Sequence, residues 1–310
     1  MSKARTVLPT DLVALVSFDG RVYPNEAKTW DRLGLQERPP HPLETALEQW
    51  FSIATGKHTW VNVRGATIRG LVSARRRANR SAWEVEVLLN ADEDKSVVLD
   101  LLGRMTSGVA KLGAERVFLR LGAESPVLPV VRQAGFFPYC HETLYRADSL
   151  GPMEAPDIPL RARTKDDILG IFHLYSRAVP ANIRAIEGAT LREWQAALEP
   201  WGGRPTEFLL EEDGVIVAWL RLLSGHCGRF SLLTLVERQD RETLLRAALA
   251  RLADSRCLVC LVPTHDPALA QSLERLGFAP AGEYVALAKR LLKPAEELAP
   301  EKVGAVVPAR

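Results

Sequence analysis

The chain has 310 residues, 47% hydrophobic and 25% charged. That is enough for about two domains of roughly 100–200 residues, each with its own core, and it excludes a disordered chain. Lys plus Arg number 40 against 38 Asp plus Glu, so a net charge of +2 lacks the basic excess of a dedicated nucleic-acid binder.

Residues 1–10 hold no apolar core of signal-peptide length, and no apolar run approaches the ~20 residues of a membrane helix. The expectation is a soluble, cytoplasmic protein without membrane or nucleic-acid partners. A helix is predicted over 42–53. Three strands follow at Thr59–Val63, Ala66–Ala74 and Trp83–Leu89. An amphipathic helix, Ser96–Leu112, leads to an apolar strand, Arg116–Leu121, then a short helix, Pro126–Ala134, and the pair Gly135 and Phe136.

Residues 148–159 carry three prolines and a glycine in a polar stretch, which holds neither a helix nor a central strand. They read as a linker. Beyond it comes a strand at Pro159–Ala162, helices at Lys165–Ala178 and Leu191–Leu198, and strands at Glu207–Glu212, Val215–Leu223 and Arg229–Val236. Asp213 and Gly214 mark a hairpin. A helix at Glu242–Ala253, a strand at Cys257–Val262 and a helix at Pro267–Leu276 close on Gly277 and Phe278. The same order, ending each time on a final strand, therefore occurs twice, a domain's length apart rather than at the roughly 20–50-residue period of a solenoid. The division is 1–147 for the first domain, 148–159 for the linker, 160–293 for the second domain and 294–310 for a frayed tail. Antiparallel hairpins followed by a βαβ crossover make each half a mixed-sheet α/β unit.

With Leu273, Glu274, Arg275 and Leu276 before Gly277 and Phe278, and with Glu283 beyond, the second half resembles the GNAT superfamily of N-acyltransferases. Gln133 and Ala134 before Gly135 and Phe136 form the weaker first copy. In such an ending Gly terminates the helix in a left-handed conformation and Phe plugs the core. The resemblance covers nearly the whole chain, once per half. It implies two GNAT-like domains in tandem and transfer of an acetyl group from acetyl-CoA to the primary amine of a small molecule or peptide. In that family acyl-CoA lies in a gap between the fourth and fifth strands. Its pyrophosphate meets backbone N–H groups at the start of the next helix, in a loop patterned Arg/Gln-x-x-Gly-x-Gly/Ala, where the helix end favours an anion and glycines allow close approach.

That pattern is eroded in both halves. In the first, Asp92, Glu93 and Asp94 would repel a pyrophosphate, and Val97 and Leu99 stand near the glycine positions. In the second, Thr243 and Leu245 stand near the glycine positions while Arg238 and Arg241 offer cations. The second half is thus the candidate for acyl-CoA, with Leu235, Val236, Arg238, Arg241, Glu242 and Thr243 as its contacts, and the first half is degenerate. The Asn and Tyr that many members place on the penultimate helix are replaced by Asp266 and Leu273, and by Glu124 and Val131.

Glu84 and Glu86, two apart on a strand, share one face. In the family's terms that strand polarises the thioester, and a carboxylate there can take the proton of an attacking amine. The plainer alternative is a solvent-facing strand edge. Thr234 at the equivalent place cannot act as a base. Cys257 and Cys260, three apart on a strand, point to opposite faces, which defeats both chelation and a bond between them. Four scattered Cys make no disulfide framework, and no metal site is expected. Arg75, Arg76, Arg77 and Arg80 read as a solvated hairpin tip. Trp194 and Trp201 either line an acceptor pocket or pack helices on the sheet. A different class of function, a non-catalytic binding or scaffold protein on the same fold, stands beside the enzyme reading. Side chains of Leu244 or Leu245 filling the strand gap would favour it.

Overall fold

The apolar runs fold into the elements of a computed structural model that describes residues 3–8, 24–34, 56–65, 67–91, 94–148, 154–235 and 237–291. The first half comprises β1 (Lys3–Thr6), β2 (Lys57–Arg64), β3 (Thr67–Arg76), β4 (Ala82–Asn90), α1 (Lys95–Lys111), β5 (Arg116–Gly122), α2 (Leu128–Gln133) and β6 (Phe137–Ala147). The second comprises β7 (Arg161–Ala162), α3 (Ile168–Ala178), α4 (Ala181–Glu187), α5 (Leu191–Ala197), β8 (Thr206–Glu212), β9 (Val215–Leu223), β10 (Cys227–Thr234), α6 (Arg241–Ala250), β11 (Cys257–Pro263), α7 (Pro267–Arg275) and β12 (Ala279–Arg290). Strand β1 and helix α4 are additions to the elements expected from sequence, while β6 and β12 are the final strands expected of the two halves. The helix expected over 42–53, the tail, and linker residues 149–153 lie outside the described residues.

All twelve described strands join one sheet in the order β1-β2-β3-β4-β5-β12-β6-β11-β10-β9-β8-β7. The two halves exchange their last strands. Tyr284 to Arg290 of β12 run antiparallel to Gly122 to Arg116 of β5, in the other half. Glu142 to Ala147 of β6 run antiparallel to Pro263 to Leu258 of β11. Strands β6 and β12 then pair with each other at the centre.

Packing follows the exchange. One face of the first half is covered by α1 and α2, whose Leu101, Met105, Val109 and Val130 meet Trp83, Leu119 and Phe136. Val285 and Leu287 from β12 belong to that same core. Across the second half, Leu244, Leu245, Leu249 and Leu273 of α6 and α7 pack on Phe230, Leu232 and Phe278, together with Tyr145 and Ala147 from β6. Gly135 and Gly277 end α2 and α7 with φ of 87° and 90°, as the repeated Gly-Phe ending requires. On the other face α3 and α5 bring Tyr175 and Trp194 onto Leu209 and Trp219.

Cys227 and Cys257 are disulfide-bonded, with Cα atoms 4.5 Å apart. Their sequence separation of 30 gives no sign of it; the parallel pairing of β10 with β11 makes them neighbours. Cys140 and Cys260 are free and buried.

Candidate functional site

Each half contains one parallel strand pair, and each pair soon parts. β4 and β5 are in register only from Ala82 with Arg116 to Glu84 with Phe118. β10 and β11 are in register only from Cys227 with Cys257 to Arg229 with Val259. Beyond those positions two strand edges face each other across a gap, and buried peptide groups there need other partners.

The first-half gap is filled by the chain itself. Glu26 N–H donates to the Leu88 carbonyl of β4 at 3.0 Å, and Lys28 N–H donates to the Arg120 carbonyl of β5 at 2.8 Å. Asn25 fastens the segment: its Nδ2 donates to the Glu86 carbonyl at 3.1 Å and its Oδ1 accepts from Leu88 N–H at 2.9 Å. The Ser125 hydroxyl donates to the Glu26 carboxylate at 2.6 Å, and Ala27 is buried. Residues 25–28 thus bridge the parted strands as a short peptide.

The second-half gap is open. Among the described residues no segment bridges β10 and β11 beyond Arg229. A cavity of about 260 Å³ lies there, lined by Ser231 to Thr234 of β10, Leu261 and Pro263 of β11, Leu269 of α7, and Tyr175 and Val179 at the end of α3. It adjoins a second cavity of about 210 Å³ walled by Trp30, Trp194, Trp201 and Tyr139. Glu142, Glu187, Arg221, Ser231 and Leu261 line both.

A chain of ion pairs crosses the sheet beside these cavities. Arg75 donates to both Asp31 oxygens at 2.9 and 2.7 Å and to Glu84 at 2.6 Å. Arg77 donates to Glu84 at 3.1 Å and to Glu199 at 2.8 Å. Arg120 donates to Glu199 at 2.9 Å and to Glu142 at 2.6 Å. The reading of Arg75 to Arg77 as a solvated tip is therefore corrected. Arg75 and Arg77 lie on the sheet among carboxylates, and Arg76 sits 5.5 Å from the centre of the Trp83 ring.

Glu84 and Glu86 share one face, as their spacing predicts, but that face is not a solvent edge: they are 3% and 2% exposed. Glu86 is held by Arg32 at 2.8 Å and Lys57 at 3.3 Å. Burial raises the Glu84 carboxyl against the pull of Arg77 and Arg75. Neither lines the two cavities. Burial would raise Glu199 as well, yet Arg120 and Arg77 hold it below the ordinary carboxylate range.

Two carboxylates line both cavities: Glu142, which Arg120 holds, and Glu187, at the C-terminal end of α4. Tyr175 donates to Glu187 Oε2 at 3.0 Å. Burial pushes Glu187 up to about 7, the hydrogen bond from Tyr175 and the nearby Arg77 charge only partly opposing this. Sequence reading missed Glu187 because its surroundings come from α3, β6 and α5, and α4 carries no motif.

The described residues among those expected to hold acyl-CoA occupy the turn after β10 and the first turn of α6, and none of them lines the cavity. Arg238 donates to both Glu212 oxygens at 2.8 Å and also to Asp240. Arg241 is buried, donates to the Leu235 carbonyl at 2.8 Å and the Arg238 carbonyl at 3.0 Å, and lies 3.6 Å from Asp266. Arg241 thereby closes the turn. Thr243 is in the first turn of α6, Glu242 reaches Arg246 and Arg275, and Val236 lies outside the described residues. Leu244 and Leu245 are buried in the helix–sheet core and leave the gap open. In the first half, Asp94 caps α1 by accepting from Ser96 N–H at 2.8 Å and pairs with Arg69; Asp92 and Glu93 lie outside the described residues. Trp194 and Trp201 are buried in packing contacts, as the packing alternative expects, and their rings also wall a cavity.

Removing one member of the ion-pair chain leaves buried charges uncompensated. Arg120→Met strands Glu142 and leaves Glu199 with Arg77 alone, and is expected to cost about 3–5 kcal/mol. Urea denaturation measures this, and a loss under 1 kcal/mol would mean that the carboxylates find other partners.

Among the described residues no cluster of three or more His, Cys, Asp or Glu is placed to hold a metal ion, and no helix is long and apolar enough to cross a membrane. The sequence matches no protein-family model and no curated protein. Solved structures do match along most of the chain. A GCN5-related N-acetyltransferase from Sphaerobacter thermophilus shares 15% identity over 93% of this chain and 95% of its own, with a TM-score of 0.52. A tandem GNAT protein from the clavulanic acid biosynthesis pathway shares 11% over 94% and 98%, with a TM-score of 0.51. A Drosophila protein shares 12% over 95% and 100%, with a TM-score of 0.53. At these identities the likeness is one of fold: the chain has the α/β fold of two GNAT-like domains in tandem.

Proposed function

We propose that the protein is an N-acyltransferase, moving an acetyl group from acetyl-CoA in the second-half gap to the primary amine of a small molecule. The observation that carries this reading is the contrast between the two gaps. In the first half, residues 25–28 reveal what such a gap accepts: a narrow, extended chain whose amides pair with the parted strands. The pantetheine arm of CoA is such a chain. In the second half the corresponding edges border a cavity instead.

Acetyl-CoA supplies an activated acyl group as a thioester. In this reading Ser231 to Thr234 and Leu261 bind the arm. The α6 N-terminus and Arg238, released from Glu212, face the phosphates. Leu235, Arg241, Glu242 and Thr243 shape that turn. Glu187, with an affinity for protons near neutrality, takes the proton from the amine. Glu84 and Glu86 order the guanidinium groups behind the cavity. A cytoplasmic location belongs to the same reading. The engagement of Arg238 and Arg241 by protein groups favours a second reading, a non-catalytic binding protein on the same fold.

Calorimetric titration with acetyl-CoA separates the two. Micromolar binding is expected, with a rise in melting temperature. Ser231→Trp, which puts a ring where the two cavities meet, is expected to abolish turnover. An absence of binding up to millimolar acetyl-CoA would leave the binding-protein reading.

A further inference from the structure

Among the described residues, one cation that lines the adjoining cavity of about 210 Å³ makes no ion pair. Arg77 and Arg120 also line it, but Glu84, Glu199 and Glu142 take up their charges. Arg221, on β9, has no carboxylate within ion-pair distance among the described residues, and its Nε is buried with no hydrogen-bond partner. Its guanidinium lies 4.4 Å from the centre of the Trp201 ring and 5.1 Å from that of Trp219. Those rings lie within cation–π range, and they supply no carbonyl or carboxylate acceptor for its N–H groups. The neighbouring Glu207 is occupied by Trp219 Nε1 at 2.8 Å and Arg163 at 3.3 Å. Burial lowers Arg221 to about 10, so it stays charged at neutral pH. A buried donor left without an acceptor is costly, and buried polar groups in native proteins are normally satisfied.

Glu187 and the Arg120-paired Glu142 line the same cavity. The cavity thus offers a planar cation and carboxylates to one occupant. A guanidinium fork matches a carboxylate, while the surrounding acids disfavour a dianion such as phosphate.

We propose that Arg221 binds the carboxylate of the acceptor, so that the amine acylated belongs to an amino carboxylate, a molecule of the amino-acid class. This rests on the acyltransferase reading for the reaction, and on Arg221 alone for recognition.

The test pairs glycine, alanine and leucine with methylamine, ethylamine and isopentylamine, which lack the carboxylate. Thiol release from acetyl-CoA reports turnover, and calorimetry reports binding of each compound without acetyl-CoA. Loss of a charge-assisted hydrogen bond predicts that the amino carboxylates are preferred by about 10- to 100-fold in kcat/KM. Arg221→Gln should erase that preference through KM, and Arg221→Lys should restore part of it. Unchanged acetyl-CoA affinity and circular dichroism show that each variant is folded with an intact donor site. If acetyl-CoA does not bind, the acyltransferase reading fails, while binding of amino carboxylates that Arg221→Gln abolishes still supports the site. The proposal is overturned if plain amines serve equally well, if Arg221→Gln keeps the preference, or if no member of the panel binds or reacts.

Discussion

Glu187→Gln is expected to lower kcat by about 10²–10⁴-fold, the range for loss of a general base. The substitution keeps the size of the side chain and a hydrogen-bond acceptor for Tyr175, so acetyl-CoA affinity should hold. The pH profile gives the sharper signature. A base must be deprotonated to work, and burial pushes Glu187 up to about 7. The wild-type rate should therefore climb as pH rises through about 7, and the variant should show no such inflection. Stability runs the opposite way. The folded carboxyl binds its proton more tightly than the unfolded one, whose value is 4.5. Folding stability therefore falls as pH rises from about 4.5 to about 7, and Glu187→Gln removes that fall. A variant that keeps the wild-type rate and inflection would take Glu187 out of the chemistry.

Neither half is expected to fold by itself. A fragment of residues 1–148 keeps β6 but loses β12, and with it the ladder from Tyr284 to Arg290 on β5 and the core side chains Val285 and Leu287. A fragment of residues 149–310 loses β6, the partner of β11, together with Tyr145 and Ala147. Each would expose a long unpaired strand edge inside what had been a sheet interior, a template for aggregation. Circular dichroism should show little cooperative structure in either fragment. Mixing them should restore the native spectrum, because every exchanged contact can re-form between chains. A cooperative unfolding transition in the first fragment alone would mean that β6 can return to β5, and that the exchange is not needed for stability.

The same exchange marks how far the chain could be read from its letters. Element order and duplication were legible because they depend on local chemistry. Strand runs such as Trp83–Leu89 and helix runs such as Ser96–Leu112 carry their periods within a few turns, and β4 and α1 match them to within a few residues. The Gly-Phe endings were legible because a left-handed helix stop needs glycine wherever it occurs, and Gly135 and Gly277 both adopt it. That Glu84 and Glu86 share a face follows from the strand alone.

What surrounds that face does not. Arg75 and Arg77 look like a surface run until Asp31 and Glu199 arrive from distant segments. Glu187 has an ordinary sequence context, and its proton affinity comes from burial created by other elements. The filling of one gap by residues 25–28 and the opening of the other were equally illegible, since two copies of one topology differ only in what the rest of the chain lays across them. Sequence by itself determined the repeated order of helices and strands, because that order rests on dihedral preference and apolar period over neighbouring residues. Only the tertiary structure decided which half closes on which strand, which gap stays open and which carboxylate meets the cavity. Those outcomes depend on burial and pairing between residues far apart along the chain, and no local pattern encodes them.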